Sequence, residues 1–129
     1  MKTEKRLLGD LGEDVAAKHL KKLHYRIKER NFTDGQGNEI DIIAENRDHL
    51  VIVEVKTRTY DEGNITRFGT PSAAVDVRKQ RCLLRATYAY LALHATSKRI
   101  RFDIIEVYLS KDIPPKVIDT HHMPDAFRP

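Results

Sequence analysis

Cysteine is almost absent from this sequence: Cys82 stands alone. One cysteine excludes an internal disulfide framework and any cysteine-rich zinc site. No apolar run approaches the roughly 18 residues of a membrane span, so no membrane partner is expected. The first six residues, Met1-Lys2-Thr3-Glu4-Lys5-Arg6, lead into no apolar core, so no secretory signal is expected there. Internal repeats and low-complexity tracts are missing too. With these classes set aside, the expected compartment is the cytoplasm.

What is present suits one globular α/β domain. The 129 residues are 40 % hydrophobic and 33 % charged, enough to bury a core without a disulfide or structural metal. The net charge of +4 is unevenly spread: residues 1–30 carry net +4, 31–66 net −5, 67–101 net +7 and 102–129 net −2. An acidic centre between two basic blocks is the distribution expected of a metal site facing a phosphate backbone. Basic surface helices also arise without any partner, so charge alone decides nothing.

Leu8, Leu11, Val15, Ala16, Leu20 and Leu23 recur at helical spacing and predict an amphipathic helix over Leu7–Leu23, with Glu13 at the edge of its apolar stripe. Tyr25–Arg30 alternates as a short strand, and residues 33–38 form a turn-rich loop. Glu39–Glu45 and Leu50–Thr59 read as strands whose short connection suits an antiparallel hairpin. Residues 60–70 read as a loop. Thr70 and Pro71 look like the N-cap and first residue of a long helix running to about His94. Arg101–Leu109 is apolar on both sides, as in a strand covered on both faces. Residues 111–129 carry Pro114, Pro115, Pro124 and Pro129, and are expected to be an irregular tail with an edge strand at Lys116–Asp119.

The chemistry lies in Asn38-Glu39-Ile40-Asp41-Ile42-Ile43-Ala44 and Val51-Ile52-Val53-Glu54-Val55-Lys56. Side chains alternate along a strand, so Glu39 shares a face with Asp41, and Glu54 shares one with Lys56 and Arg58. Across a hairpin of suitable register, which the sequence does not give, Asp41 and Glu54 would come within reach of one ion. Carboxylates set among valines and isoleucines are costly unless something binds them. A divalent cation such as Mg²⁺ would do so, completing its shell with waters, a backbone carbonyl such as that of Val55, and substrate phosphate. It would polarise a phosphoryl oxygen and lower the pKa of a bound water. Lys56 suits an orienting, electrostatic role; a free lysine near 10.4 is too basic to act as general base. The bland alternative is an exposed hairpin with an ordinary Glu–Lys pair.

Acid on one strand and Glu-X-Lys on the next resembles the PD-(D/E)xK, restriction-endonuclease-like superfamily. The chain is more closely similar to the YraN-like family of presumed nucleases. The likeness runs through Gly12-Glu13 with Ala16-Ala17, Arg30-Asn31, Glu39 to Ala44, Val53 to Arg58, the Pro71 to Lys79 stretch, Arg101-Phe102-Asp103 and Asp125-Ala126-Phe127. It implies a restriction-endonuclease-like core, a mixed sheet flanked by helices. It also implies Asp41 and Glu54 as ligands of Mg²⁺ or Mn²⁺, Lys56 as catalytic lysine and Glu13 as accessory acid. Asn38 stands where the family commonly has Gly, which brings Glu39 in as a second metal candidate. A similar layout in archaeal Holliday-junction resolvases implies branched or structured DNA as substrate, and a homodimer by analogy.

Arg58, Lys79 and Arg81 are the candidate phosphate contacts. His121-His122 reads as a mobile surface pair, Cys82 as a core residue, Tyr88 and Tyr90 as packing, and Thr66-Arg67-Phe68-Gly69 as a substrate-wrapping loop or disordered. The reading is therefore metal-dependent hydrolysis of DNA, with two alternatives: a DNA-binding module that keeps the fold without turnover, or an assembly protein. RNA remains open as substrate.

Overall fold

The structure is a computed structural model and describes residues 1–59 and 75–129. The order is α1 (Glu4–Lys22), β1 (Arg26–Thr33), β2 (Glu39–Glu45), β3 (His49–Thr59), α2 (Val77–Leu93), β4 (Arg99–Leu109) and β5 (Val117–Phe127). The strands form one mixed sheet in the order β1-β2-β3-β4-β5. Only β3 and β4 pair in parallel; the other neighbours are antiparallel. A parallel pair needs a crossover, and α2 lies in that connection.

The two helices described cover opposite faces. On α1, Ala16, Ala17 and Leu20 pack on Ile42, Val51, Val53, Ile105 and Val107. On α2, Leu83, Ala86 and Tyr90 pack on Ile43, Leu50, Ile52, Phe102 and Ile104. The strands in the middle are therefore buried on both sides, as the continuous apolar run of β4 predicted. Tight local devices set the turns. Asp34 accepts the Gln36 and Asn38 N–H groups, with Gly35 and Gly37 at positive φ, and Asn46 accepts those of Asp48 and His49 at the hairpin. Among the described residues no helix is long and apolar enough to cross a membrane.

Three expectations are corrected. The second helix begins at Val77, not Pro71: Asp76 is the N-cap, its carboxylate accepting the Lys79 N–H at 2.8 Å. Thr70, Pro71 and the Thr66–Gly69 loop lie outside the described residues. On this helix Leu93 is exposed, whereas Thr87 is buried and donates its hydroxyl to the Leu83 carbonyl.

The largest correction is the tail, which holds an 11-residue edge strand, β5. Pro124 is tolerated there because an edge strand has a free side and β5 is bulged. The register slips between Phe102↔Phe127 and Ile104↔Met123, Asp125 takes φ 50°, and the Asp103 carboxylate receives the Asp125 N–H at 3.0 Å. His122 is fixed in the same network, 2.8 Å from Asp103 and 3.1 Å from His19, so it is no mobile surface residue.

Candidate active site

The β2–β3 ladder pairs from Glu45↔Leu50 to Ile42↔Val53. Past that point Oδ2 of Asp41 accepts the Val55 N–H at 2.8 Å, so a side chain replaces the ladder bond and the strands fork. The fork sets the Asp41 carboxyl beside that of Glu54, close enough for its charge to act on it. A cavity of about 490 Å³ opens over them, between the first half of α1 and β3, lined by Glu13, Asp41, Glu54, Val55 and Thr57 among others. Gly12 lets α1 come this close, since a Cβ there would strike the Thr57 hydroxyl.

Electrostatics mark the cleft. Glu54 is only 5 % exposed. Burial foremost, then the charge of Asp41, pushes its carboxyl up to about 8, against the pull of Lys79 and Lys56. Glu13 is pushed up to about 7, again by burial first and Asp41 second, while Arg30 and a hydrogen bond from Asn31 pull it down. Asn31 holds φ 54°, a left-handed conformation that asparagine tolerates better than most residues. Oε2 of Glu54 and Oε1 of Glu13 are buried without a hydrogen-bond partner among the described residues. Lys79 Nζ stands 3.5 Å from that same Glu54 oxygen.

The donor set suits a hard cation. Mg²⁺ is commonly held by one or two carboxylates plus waters, and Mn²⁺ accepts the same oxygen donors. Among the described residues, however, no three His, Cys, Asp or Glu side chains form a ready metal cage. Asp41 and Glu54 meet, whereas Glu13 acts on Asp41 only through its charge.

The sequence pattern of "Uncharacterised protein family UPF0102" matches residues 12–107. The chain belongs to this family. A UPF0102 protein of Caldanaerobacter subterraneus subsp. tengcongensis is 43 % identical over 112 residues, covering 86 % of this chain and 87 % of that protein. One of Caldicellulosiruptor saccharolyticus is 41 % identical over 124 residues, 95 % and 98 % of the two chains. One of Porphyromonas gingivalis is 40 % identical over 119 residues, 92 % and 82 %.

In this UPF0102 chain the remaining predicted residues divide. Lys56 and Arg58 share Glu54's face of β3; Lys56 does not line the cleft, although its charge acts on Glu54. Val55 lines the cleft on the α1 side. Glu39 is exposed on β2 and does not line it, which leaves Asp41 as the β2 carboxylate at the site. Arg81 is exposed on α2 together with Arg78 and Arg85. Lys79, expected as a phosphate contact, pairs with Glu54 while its side chain stays partly exposed.

Glu106 went unnoticed in the sequence. It is 2 % exposed, stands beside Lys56 in the β3–β4 register, and receives the Tyr108 hydroxyl at 3.4 Å. A lone carboxylate inside the apolar run Ile104-Ile105-Glu106-Val107 was its only signal.

Proposed function

We propose that this UPF0102 protein is a Mg²⁺- or Mn²⁺-dependent nuclease of the cytoplasm, hydrolysing DNA phosphodiesters, branched or structured DNA included. We assign it a restriction-endonuclease-like core within the PD-(D/E)xK superfamily. The observation that carries the reading is the forked hairpin, which brings Asp41 and Glu54 together in a cleft with one Glu54 oxygen buried and lacking a hydrogen-bond donor. Asp41 and Glu54 would hold the cation, which supplies Lewis-acid polarisation of a phosphoryl oxygen and a more acidic water. Lys56, the lysine of the Glu-X-Lys pattern, contributes positive charge at Glu54. Glu13 borders the same cleft as accessory acid. The exposed Arg78, Arg81 and Arg85 of α2, with Arg58 on β3, offer sequence-independent phosphate contacts.

A second reading, a DNA-binding module without turnover, draws on the Lys79–Glu54 ion pair, which already counters the buried carboxylate without a metal. Calorimetric titration of Mn²⁺ and Mg²⁺ into wild type and Glu54→Gln, with cleavage of duplex, single-stranded and four-way-junction DNA and of an RNA control, separates the two. Metal binding lost in Glu54→Gln, with cleavage by wild type alone, supports the nuclease. DNA binding without metal uptake or cleavage supports the module. Sedimentation of the same samples tests the homodimer suggested by the resolvase analogy.

A further inference from the structure

A second cavity, of about 690 Å³, opens directly off the carboxylate cleft and shares Glu4, Leu8 and Thr59 with it. Its walls are α1 on one side, through Leu7 and Leu8, and the β4–β5 turn on the other, through Ile113 and Pro115. The turn is a firm platform: Ser110 donates its N–H to the Lys116 carbonyl at 2.8 Å, and its hydroxyl accepts the Asp112 and Lys116 N–H groups. On this platform Ile113 is 99 % exposed, and Leu7 opposite is 55 % exposed. Leu7 and Ile113 thus give the groove an aliphatic side chain on each wall, among the polar Glu4, Thr59, Ser110 and Asp112. The size is that of a small-molecule site.

We propose that this groove binds an unstacked nucleobase of the strand whose phosphate lies at Asp41 and Glu54. The inference rests on the phosphodiesterase reading. Continuity argues for the occupant: a base one nucleotide from a phosphate held in the cleft is within reach of this adjoining space. Apolar side chains sandwich extruded bases, and an isoleucine or proline at a groove lip is the type of wedge that parts stacked ones. A duplex holds its bases stacked and cannot fill the groove, so the preferred substrate has unpaired nucleotides at the cut.

The test titrates wild type and the surface variants Leu7→Ser and Ile113→Ser with labelled single-stranded oligonucleotides, followed by fluorescence anisotropy. One set is intact and one carries an abasic site at each position in turn. Cut positions are mapped on the same strands with Mn²⁺. An abasic site next to the cut is expected to weaken wild-type binding about tenfold, the scale of one stacked base, and to cost the variants nothing further. Equal binding of intact and abasic strands, with cleavage retained, would overturn the groove and leave the nuclease reading standing. No binding of nucleic acid by wild type would overturn both. A concentration-dependent dimer dissolved by Ile113→Ser would make a second chain the occupant and overturn the inference as well.

Discussion

Lys79 reaches from the first turn of α2 to within 3.5 Å of Oε2 of Glu54. Asp76 fixes this reach, because its capping bond to the Lys79 N–H sets where the helix starts. The Lys79 side chain is 40 % exposed and that of Glu54 6 %, so the pair spans the boundary between solvent and core. It offsets part of the cost of a buried charge that Asp41 worsens.

Lys79→Met should therefore destabilise the metal-free chain by about 1 kcal/mol above pH 8, a value between an exposed and a buried pair. The same substitution in a Glu54→Gln background should cost nearly nothing. Urea unfolding of the four proteins gives the coupling directly. An equal cost in both backgrounds would show that Lys79 stabilises through helix packing and not through Glu54.

Stability should also fall as pH rises. Glu13 and Glu54 titrate at about 7 and about 8, above the ordinary value of 4.5. Between 4.5 and those values the folded chain binds more protons than the unfolded one, so stability declines across that window. His19, held below 6.5 by burial first and by His122 second, acts in the opposite sense at the acid end. Glu54→Gln keeps His19 and so isolates the carboxylate. Between pH 5 and pH 8 wild type should lose several degrees of Tm relative to Glu54→Gln, at about 4 °C per kcal/mol for this size. Mn²⁺, which needs the carboxylates ionised, should raise wild-type Tm more at pH 8 than at pH 5. Parallel pH profiles of the two proteins would refute the carboxylate account.

The sequence made the central hairpin legible because alternation and turn chemistry act locally: Glu39–Glu45 keeps its predicted bounds, and Leu50–Thr59 gains only His49. The meeting of Asp41 with Glu54 was an inference from strand alternation; neither the register nor the fork that produces it was legible, since the fork depends on one side chain taking a ladder bond. Lys79 looked like a phosphate contact because a basic helix face reads the same whether its lysines meet solvent or a buried acid. The tail misled through its prolines. Its pairing is enforced by Asp103, a residue 14 positions before β5 begins, and no local pattern shows such a partner.

Asp103 makes the third prediction. It is fully buried, and burial alone would raise its pKa; hydrogen bonds from His122, Arg101 and the Asp125 N–H outweigh this and hold it below 3.8. Arg101 meets it at 2.8 Å while also donating to the Tyr25 hydroxyl, which ties β4 to the segment entering β1. Asp103→Ala strands a buried guanidinium and should cost about 3–5 kcal/mol. Its stabilising effect is present above pH 3.8 and vanishes as pH falls through the lowered folded value. Hydrogen exchange should show the β5 amides opening first in Asp103→Ala. Uniform loss of protection across the sheet would refute a specific clamp on β5.

Gly12 makes the fourth. It sits one residue before Glu13 on the buried face of α1, and a Cβ there would collide with Oγ1 of Thr57, a β-branched side chain on β3. Neither partner can yield easily: α1 is pinned by Ala16 and Ala17 at almost no exposure, and Thr57 lies in the β3–β4 ladder opposite Val107. Alanine is the better helix former by about 1 kcal/mol, so on an open helix Gly12→Ala would stabilise. Here overpacking, typically about 1–3 kcal/mol, should win. Gly12→Ala should lower stability and, by lifting α1 off β3, draw Glu13 away from the cleft. Removing the obstacle with Thr57→Ala in the same chain should restore most of the loss, because the alanine methyl then occupies the space the hydroxyl left. Urea unfolding of the two single variants and the double variant reads this as a coupling energy of opposite sign to the single-site costs. Additive losses would show that the close approach at Gly12 is not what sets α1 against the cleft.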